Sequence, residues 1–459
     1  MTIPLAVSPA PTRPTAPAFA LLGTVQIVLI SGITVVSVAL PAIQDELRLS
    51  GGDLALVSTA YGLAFSGLLL LGGRLADLYG RRQVFMLGLG LFGVSSAAAA
   101  LAPGLALLLT ARFAQGIGAA LAAPSAMALL GVLFPDPHRR ARATAVWGGL
   151  AGIGATGGML LSGVFAEWAS WRWAFGVPVI AAALAIVAAP RLLPADRPVR
   201  RARIDILGAA LVTAGLSTLS YGLVESSYGP LIGGVVLLLT FMVVESRTAV
   251  PLVPPAFFAA PRRAVALAAI VLGSAGMATS FFFLSLHLQQ VRGLSPLLTS
   301  AAFLPYGAVL IGTGAVAGRL LGRFGIRIVL TTGLIMAAAG LALVSRFDGG
   351  GLVAGLLVLP FGIGLTFAGA TVAAVADVPD EQAGLAGGVV NTAMEIGPTL
   401  GLAVLVSLAA VQAGDTTSGY GFALGIAAVA FILIAPIAAL LLRTPQQEPG
   451  KNSIRRRTS

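Results

Sequence analysis

Gly73-Arg74-Leu75-Ala76-Asp77-Leu78-Tyr79-Gly80-Arg81-Arg82 returns 245 residues later as Gly318-Arg319-Leu320-Leu321-Gly322-Arg323-Phe324-Gly325-Ile326-Arg327. Both copies follow one long apolar run and precede another. In each, the glycines permit a tight turn and close helix approach, and the arginines hold the loop at a membrane surface. Gly322 stands where the first copy has Asp77, so the carboxylate is confined to one copy. A loop repeated at this spacing implies a chain of two parallel halves.

The composition around these loops is that of a membrane protein. Of 459 residues, 57% are hydrophobic and 10% charged, where soluble domains carry about 25% charged residues. A soluble fold of this length would need a far larger charged coat than 28 Lys and Arg with 17 Asp and Glu supply. Soluble enzymes, secreted modules and disordered chains are thereby excluded. Cysteine is absent, which removes disulfides, thiolate nucleophiles, iron–sulfur clusters and thiolate zinc sites. The two histidines, His138 and His287, lie too far apart in sequence to make a metal cluster by themselves, and no metal site is expected. A Walker phosphate loop needs a lysine, and the chain's one lysine, Lys451, sits in the polar tail. With no nucleophile–base grouping either, enzymatic chemistry is not expected.

A helix needs an apolar stretch of about 20 residues to cross a bilayer, and about fourteen such spans can be traced. They run approximately over 17–43, 54–73, 83–102, 105–134, 143–166, 171–190, 206–225, 229–245, 264–289, 297–318, 327–345, 351–376, 384–412 and 419–442. Cytoplasmic loops carry the excess of Lys and Arg. With the N-terminus inside, 23 basic residues fall on the inner side and four (Arg48, Arg172, Arg292, Arg346) outside, with Arg112 within a span. An even number of spans with both termini cytoplasmic fits this bias. The net charge of +11 is then explained by topology, and nucleic acid is not expected as a partner. The charged breaks at 191–205 and 246–263 divide the spans into six, two and six. The expected organisation is a cytoplasmic tail (1–16), a first six-helix bundle (17–190), a linker with two extra spans (191–263), a second six-helix bundle (264–442) and a basic tail (443–459).

The Gly73–Arg82 loop resembles the motif between spans two and three of the major facilitator superfamily, and the six-two-six arrangement resembles its fourteen-span drug:proton antiporters. Four other stretches carry the resemblance: Arg112-Phe113-Ala114-Gln115-Gly116-Ile117-Gly118, Ser170-Trp171-Arg172-Trp173-Ala174-Phe175, Leu288-Gln289-Gln290-Val291 with Ser295-Pro296, and Gly384-Leu385-Ala386-Gly387 leading to Asn391-Thr392. The resemblance implies an all-α integral membrane fold of two six-helix bundles with two extra central spans. It also implies export of amphipathic drugs or natural products across the inner (plasma) membrane by alternating access, driven by the proton gradient with no cofactor. The expected partners are a small-molecule substrate, protons and the lipid bilayer, and a monomer is expected. The family pattern departs at two places. In span one, Val38-Ala39-Leu40-Pro41 is kept, but Ser37 stands for Asn and Gly32 for Asp; in span five, Gly157 is followed by Gly158 in place of Pro, with Leu161 and Ser162 in place of two glycines. These departures keep open a proton-independent facilitator or importer of a small metabolite, and beyond it a non-transporting sensor or scaffold.

Glu395 is the most informative single residue. It lies near the middle of span thirteen, where an ionised carboxylate is expensive and usually functional. Gly387, Asn391, Glu395 and Thr399 share one helix face, and Pro398 loosens the backbone beside them. Arg112, with Gln115 and Gly116 on its face, needs a carboxylate, a carbonyl or water; a proton-site role and a purely structural one both fit. Thr34, Ser37, Ser58, Thr59 and Tyr61, with Phe281, Phe282, Phe283, Phe303 and Tyr306, are candidates for a cavity lining suited to amphipathic molecules. The gating loop comprises Gly73, Arg74, Asp77, Gly80, Arg81 and Arg82, whose charges can latch the halves in one conformation. Gly154, Gly158 and Ser162, with Gly157, make a helix-packing stripe. Glu225 and His287 are read as interfacial.

Overall fold

The computed structural model describes residues 15–195, 205–248, 251–252, 255–376, 378, 383–411 and 416–442. The expected tails over 1–14 and 443–459, and parts of the linker, lie outside the described residues. The described chain is helical without strands: α1 (Thr15–Leu47), α2 (Gly51–Tyr79), α3 (Arg81–Ala100), α4 (Leu105–Leu133), α5 (Pro137–Trp168), α6 (Trp173–Leu192), α7 (Ile206–Val224), α8 (Tyr228–Arg247), α9 (Pro261–Leu286), α10 (Pro296–Ala302), α11 (Leu304–Val344), α12 (Gly349–Val375), α13 (Ala383–Ile396), α14 (Leu402–Val411) and α15 (Thr416–Leu441). In lipid every backbone polar group must be satisfied within the segment, and helices do this. Two π-helical turns interrupt the regular winding, His287–Val291 after α9 and Gly397–Gly401 between α13 and α14.

Twelve helical stretches are long and apolar enough to cross a membrane, against the fourteen expected. The difference falls at two places. Pro296–Val344 counts as one stretch of 49 residues, yet its backbone leaves helical geometry at Gly325 (φ 77°, ψ 167°). The 32-residue α5, several of whose side chains are not described, is not among the twelve.

The repeated loop is visible in the backbone. Gly80 (φ 96°) and Gly325 (φ 77°) occupy equivalent positions of the two copies, and both lie in the left-handed region open to glycine. Gly80 ends α2 and starts α3; Gly325 bends α11 in the same way. α11 is thus the counterpart of α2 and α3 together.

Helices α1–α6 pack on one another through α1–α5, α2–α4, α3–α4 and α3–α6, and α9–α15 through α11–α12, α11–α15 and α9–α12. The two bundles meet along α1–α9, α2–α13, α5–α10 and α5–α11. Small residues set these approaches. A Cβ on Gly72 of α2 would run into the Ala120 carbonyl of α4, and one on Gly116 of α4 into the Tyr61 carbonyl of α2. Replacing Gly72 with Leu should therefore separate α2 from α4, an overpacking loss of roughly 1–3 kcal/mol or more. In detergent-solubilised protein, Gly72→Leu is expected to lower the thermal unfolding midpoint by several degrees, whereas Gly90→Leu, which has open space around it, should leave it unchanged. Equal midpoints would remove close packing at Gly72 as the determinant.

Candidate functional site

Arg112 is the largest fully buried side chain of the described protein. Its guanidinium is answered by the backbone: Nη1 donates to the Gly32 carbonyl (2.7 Å) and to Gln115 Oε1 (3.2 Å), and Nε to the Val57 carbonyl (3.4 Å). Gln115 Nε2 in turn donates to Ser96 Oγ (2.7 Å), which donates to the Phe92 carbonyl (2.6 Å). One cation thereby ties α1, α2, α3 and α4 together. The guanidinium carbon lies 5.0 Å from the Tyr61 ring centre and 5.9 Å from that of Phe175, a cation–π arrangement strengthened by burial. Arg112 Nη2 is buried with no hydrogen-bond partner among the described residues. The Cβ position of Gly32 lies in van der Waals contact with the rings of Phe92 (3.6 Å) and Tyr61 (3.8 Å).

Tyr61, fully buried, donates its hydroxyl to the Leu29 carbonyl of α1 (3.1 Å). Its ring lies against the Arg112 guanidinium. Glu395 is half-buried on α13, and Asn391, one turn away, is exposed. One turn the other way Thr399 is buried, hydrogen-bonds to the Glu395 and Ile396 carbonyls and abuts Gly62 of α2. The polar stripe thus runs from an open end at Gly387, which has nothing within 4 Å of its Cβ position, through Glu395 to a sealed bundle contact. The π-helical turn at Gly397–Gly401 falls just beyond the carboxylate, beside Pro398.

Other candidate residues have structural partners. Thr34 is buried and donates to the Ala155 carbonyl of α5 (2.9 Å), and Ser31 to that of Gly154 (2.8 Å). Gly154 and Gly158 pack on Ile27 and on Ser31 with Thr34, whereas Gly157 has open space. Ser162 is buried, its hydroxyl without a partner among the described residues. Thr59 donates to the Ala55 carbonyl within its own helix (2.9 Å). Around the repeated loop, Arg81 pairs with Asp77 at 3.6 Å. Arg74 reaches the Pro251 carbonyl (3.3 Å), and Arg82 those of Pro190 (3.4 Å) and Leu193 (3.2 Å). In an exposed pair such as Asp77–Arg81 the Coulomb gain is small.

At the end of the bundles away from these loops, the two halves are joined by a set of hydrogen bonds that residue-by-residue reading did not single out. Ser285 donates to the Ser37 carbonyl (2.8 Å), Gln289 to the Val38 carbonyl (3.1 Å) and Gln290 to Gln44 Oε1 (2.8 Å). Ser300 donates to the Met159 carbonyl (2.9 Å), and the Leu297 amide to Glu167 Oε2 (2.9 Å). The signal was present in Leu288-Gln289-Gln290-Val291, which coincides with a π-helical turn; such turns are frequent at functional sites. Beside it, Glu46 accepts from Arg172 Nη2 (2.7 Å) and Trp171 Nε1 (2.6 Å). The two halves are joined at this end, while Asn391 on α13 is exposed.

The family model for the Major Facilitator Superfamily matches residues 22–402 and again 318–458. The chain belongs to that superfamily. It is a multi-span membrane transporter of small molecules and not an enzyme. Among its relatives is the puromycin resistance protein pur8 of Streptomyces alboniger, 37% identical over 449 residues, covering 91% of this chain and 89% of the relative. Another is the cephamycin export protein CmcT of Amycolatopsis lactamdurans, 34% identical over 454 residues, covering 92% of each. A crystal structure of a POT family transporter with a thioalcohol-conjugated peptide superposes with a TM-score of 0.70 at 15% identity, covering 93% of this chain and 96% of that one; this likeness concerns the fold.

In a facilitator-type transporter the closed end must open during the cycle. Ser285→Ala with Gln289→Ala removes the two neutral hydrogen bonds that these residues make across the bundles, each worth roughly 1 kcal/mol. In this cysteine-free chain, spin labels on Leu47→Cys and Leu294→Cys should then show a long-distance population enriched by roughly 10- to 30-fold. An unchanged distance distribution would mean that these bonds do not hold the end closed.

Proposed function

We propose that the protein exports amphipathic organic compounds, drugs or natural products, by proton antiport through alternating access. Both termini are cytoplasmic, the chain crosses the plasma membrane fourteen times, and the end joined by Ser285, Gln289 and Gln290 faces outward. The conformation described above is then the inward-open state, ready to load from the cytoplasm. Relatives named for antibiotic resistance and export, matched over about nine-tenths of the chain, support the substrate class. The observation that carries the coupling is the position of Glu395: a carboxylate on α13, half-buried, between exposed Asn391 and the sealed Thr399–Gly62 contact. A group placed there meets the cavity in one state and the opposite bundle in another, which is the differential contact a coupled carrier needs. Deprotonated Glu395 favours a cationic substrate, and protonation releases it. Asp77, Arg74, Arg81 and Arg82 gate the cytoplasmic side. No cofactor is required, and one chain forms the whole pathway.

Everted membrane vesicles with an acid interior and a pH-sensitive dye test this directly. Adding lipophilic cations or neutral antibiotics should release protons only in vesicles holding the protein, and Glu395→Gln should abolish that release with normal expression. Full proton-driven activity in Glu395→Gln would remove this residue from the mechanism. A second reading, a proton-independent facilitator, draws on Gly32 and on Arg112 having carbonyl and amide acceptors alone; it expects substrate flux without proton release in wild-type vesicles.

A further inference from the structure

The two copies of the repeated loop answer their charges differently. In the first copy each arginine has an acceptor inside the protein. Arg81 pairs with Asp77 across the bend at Gly80, and Arg74 and Arg82 reach the backbone carbonyls of Pro251, Pro190 and Leu193. The repeat spacing sets Asp77 and Arg81 against Gly322 and Ile326, so both members of that ion pair are gone from the second copy. Arg323 stands where the first copy has Leu78, which leaves three guanidiniums, Arg319, Arg323 and Arg327, and no carboxylate. All three side chains are exposed. Among the described residues none of them has a hydrogen bond or an ion pair, and Arg323 lies over the neighbouring Phe324 ring at 5.2 Å.

The surroundings differ as well. α7 packs along α2 and reaches α14, with Thr213 against Gly67, and so covers the seam that α2 makes with α13. The stretch of α11 that leads to the second loop is bare: Gly314, Gly318 and Gly322, one turn apart, have nothing within 4 Å of their Cβ positions. Arg319 and Arg323 are likewise one turn apart and share a helix face. Gly322 between them leaves a gap in the side-chain layer flanked by two guanidiniums, and Arg327 follows beyond the bend at Gly325. Like charges at this spacing repel one another, and an anion over the gap removes that repulsion. Apolar side chains stand on both sides of the charges, with Val316 37%, Phe324 45% and Ile328 53% exposed. Cations without a counter-charge, set among exposed apolar groups at the arginine-rich end, match a molecule with a negative head and apolar tails.

We propose that the second copy of the loop is a binding site for an anionic phospholipid of the inner leaflet, with its phosphate over Gly322 between Arg319 and Arg323. Guanidinium forks match phosphate oxygens in pairs, and Arg327 adds its charge from the far arm of the bend. The phosphate takes the place of the carboxylate that Asp77 supplies in the first copy. One half of the carrier thus answers its loop with its own side chain, and the other answers it with the membrane. A zwitterionic lipid offers the same phosphate but brings a cation of its own, which three arginines repel. The inference depends neither on the direction of transport nor on proton coupling.

The chain has no cysteine, and Tyr79 and Phe324 are equivalent, exposed positions of the two copies. A bimane fluorophore on Phe324→Cys, or on Tyr79→Cys, is placed in the full-length protein in phosphatidylcholine vesicles, and its quenching by brominated phosphatidylglycerol reports contact with that lipid. At position 324, half-quenching is expected at roughly a tenth of the lipid share that brominated phosphatidylcholine requires. At position 79 the two lipids should quench alike to within about threefold. One arginine near the surface is worth about fivefold in affinity for an anionic lipid. Arg319→Gln with Arg323→Gln should therefore raise the half-quenching share of phosphatidylglycerol at position 324 roughly 10- to 30-fold. The comparison of positions 79 and 324 stands whether or not that variant folds. Equal preference for phosphatidylglycerol at both positions overturns the proposal, because a general surface potential then accounts for it. So does the absence of any preference at 324, the arginines then being neutralised by the chain's own Asp377, Asp380 and Glu381. An unchanged half-quenching share in the folded double variant, or recovery of fluorescence on adding soluble glycerol phosphate, overturns it too.

Discussion

The guanidinium of Arg112 has no proton to lose and no water to face, so the first bundle is arranged around answering it. Its carbonyl partners come from Gly32 of α1 and Val57 of α2, and Gln115 extends the network to Ser96 of α3. Removing one partner of a buried charge is strongly destabilising, because the charge is left uncompensated. The same contacts fix how far α1 can slide against α2 and α4. They also place Tyr61 against the cation.

The second bundle departs from regular winding where it must adapt. The turns at His287–Val291 and Gly397–Gly401 each insert a residue into the helical repeat, and each lies where the two bundles meet. One sets Gln289 and Gln290 against α1; the other follows Glu395 and sets Thr399 against α2. A π-helical turn frees backbone groups from the strict ladder, so both are places where a helix can change pitch with few hydrogen bonds to break. Apart from the Leu297 amide on the Glu167 carboxylate, this end is held by neutral hydrogen bonds to backbone and amide carbonyls, which are individually weak. Such a closure is firm in sum and still reversible.

Much of this was legible in the sequence because it depends on local chemistry. The repeated loop located Gly80 and Gly325, and both adopt the left-handed backbone that its glycines allow. The apolar runs located most of the helices, since length and hydropathy decide membrane spans, although the expected spans 297–318 and 327–345 fall on the short α10 and a single long α11. The polar stripe of Asn391, Glu395 and Thr399 followed from helical periodicity alone. The partners of these groups were not legible. Thr34 and Ser31 read as a cavity lining or as nothing in particular, yet they bind carbonyls of α5, more than a hundred residues away. Gln289 carried only a family resemblance and Ser285 carried no reading, because a hydrogen bond to a backbone carbonyl leaves no mark in the acceptor's sequence. The covering of one seam by α7 is a matter of tertiary placement, which periodicity does not encode.

The two halves share their loop and their fold, yet the charges they carry into the membrane differ in sign and place. Position 357, equivalent to Arg112 at the repeat spacing, is Leu357, and position 150, equivalent to Glu395, is Leu150. Each bundle thus has one ionisable group in its spans that its twin lacks at the equivalent position. Between opposite charges in a low-dielectric interior, a small change in separation alters the energy far more than it would at a surface. Arg112 and Glu395 belong to different bundles, so rotation of one bundle against the other changes that separation. An asymmetric pair laid across a symmetric fold therefore responds to any relative rotation of the two bundles.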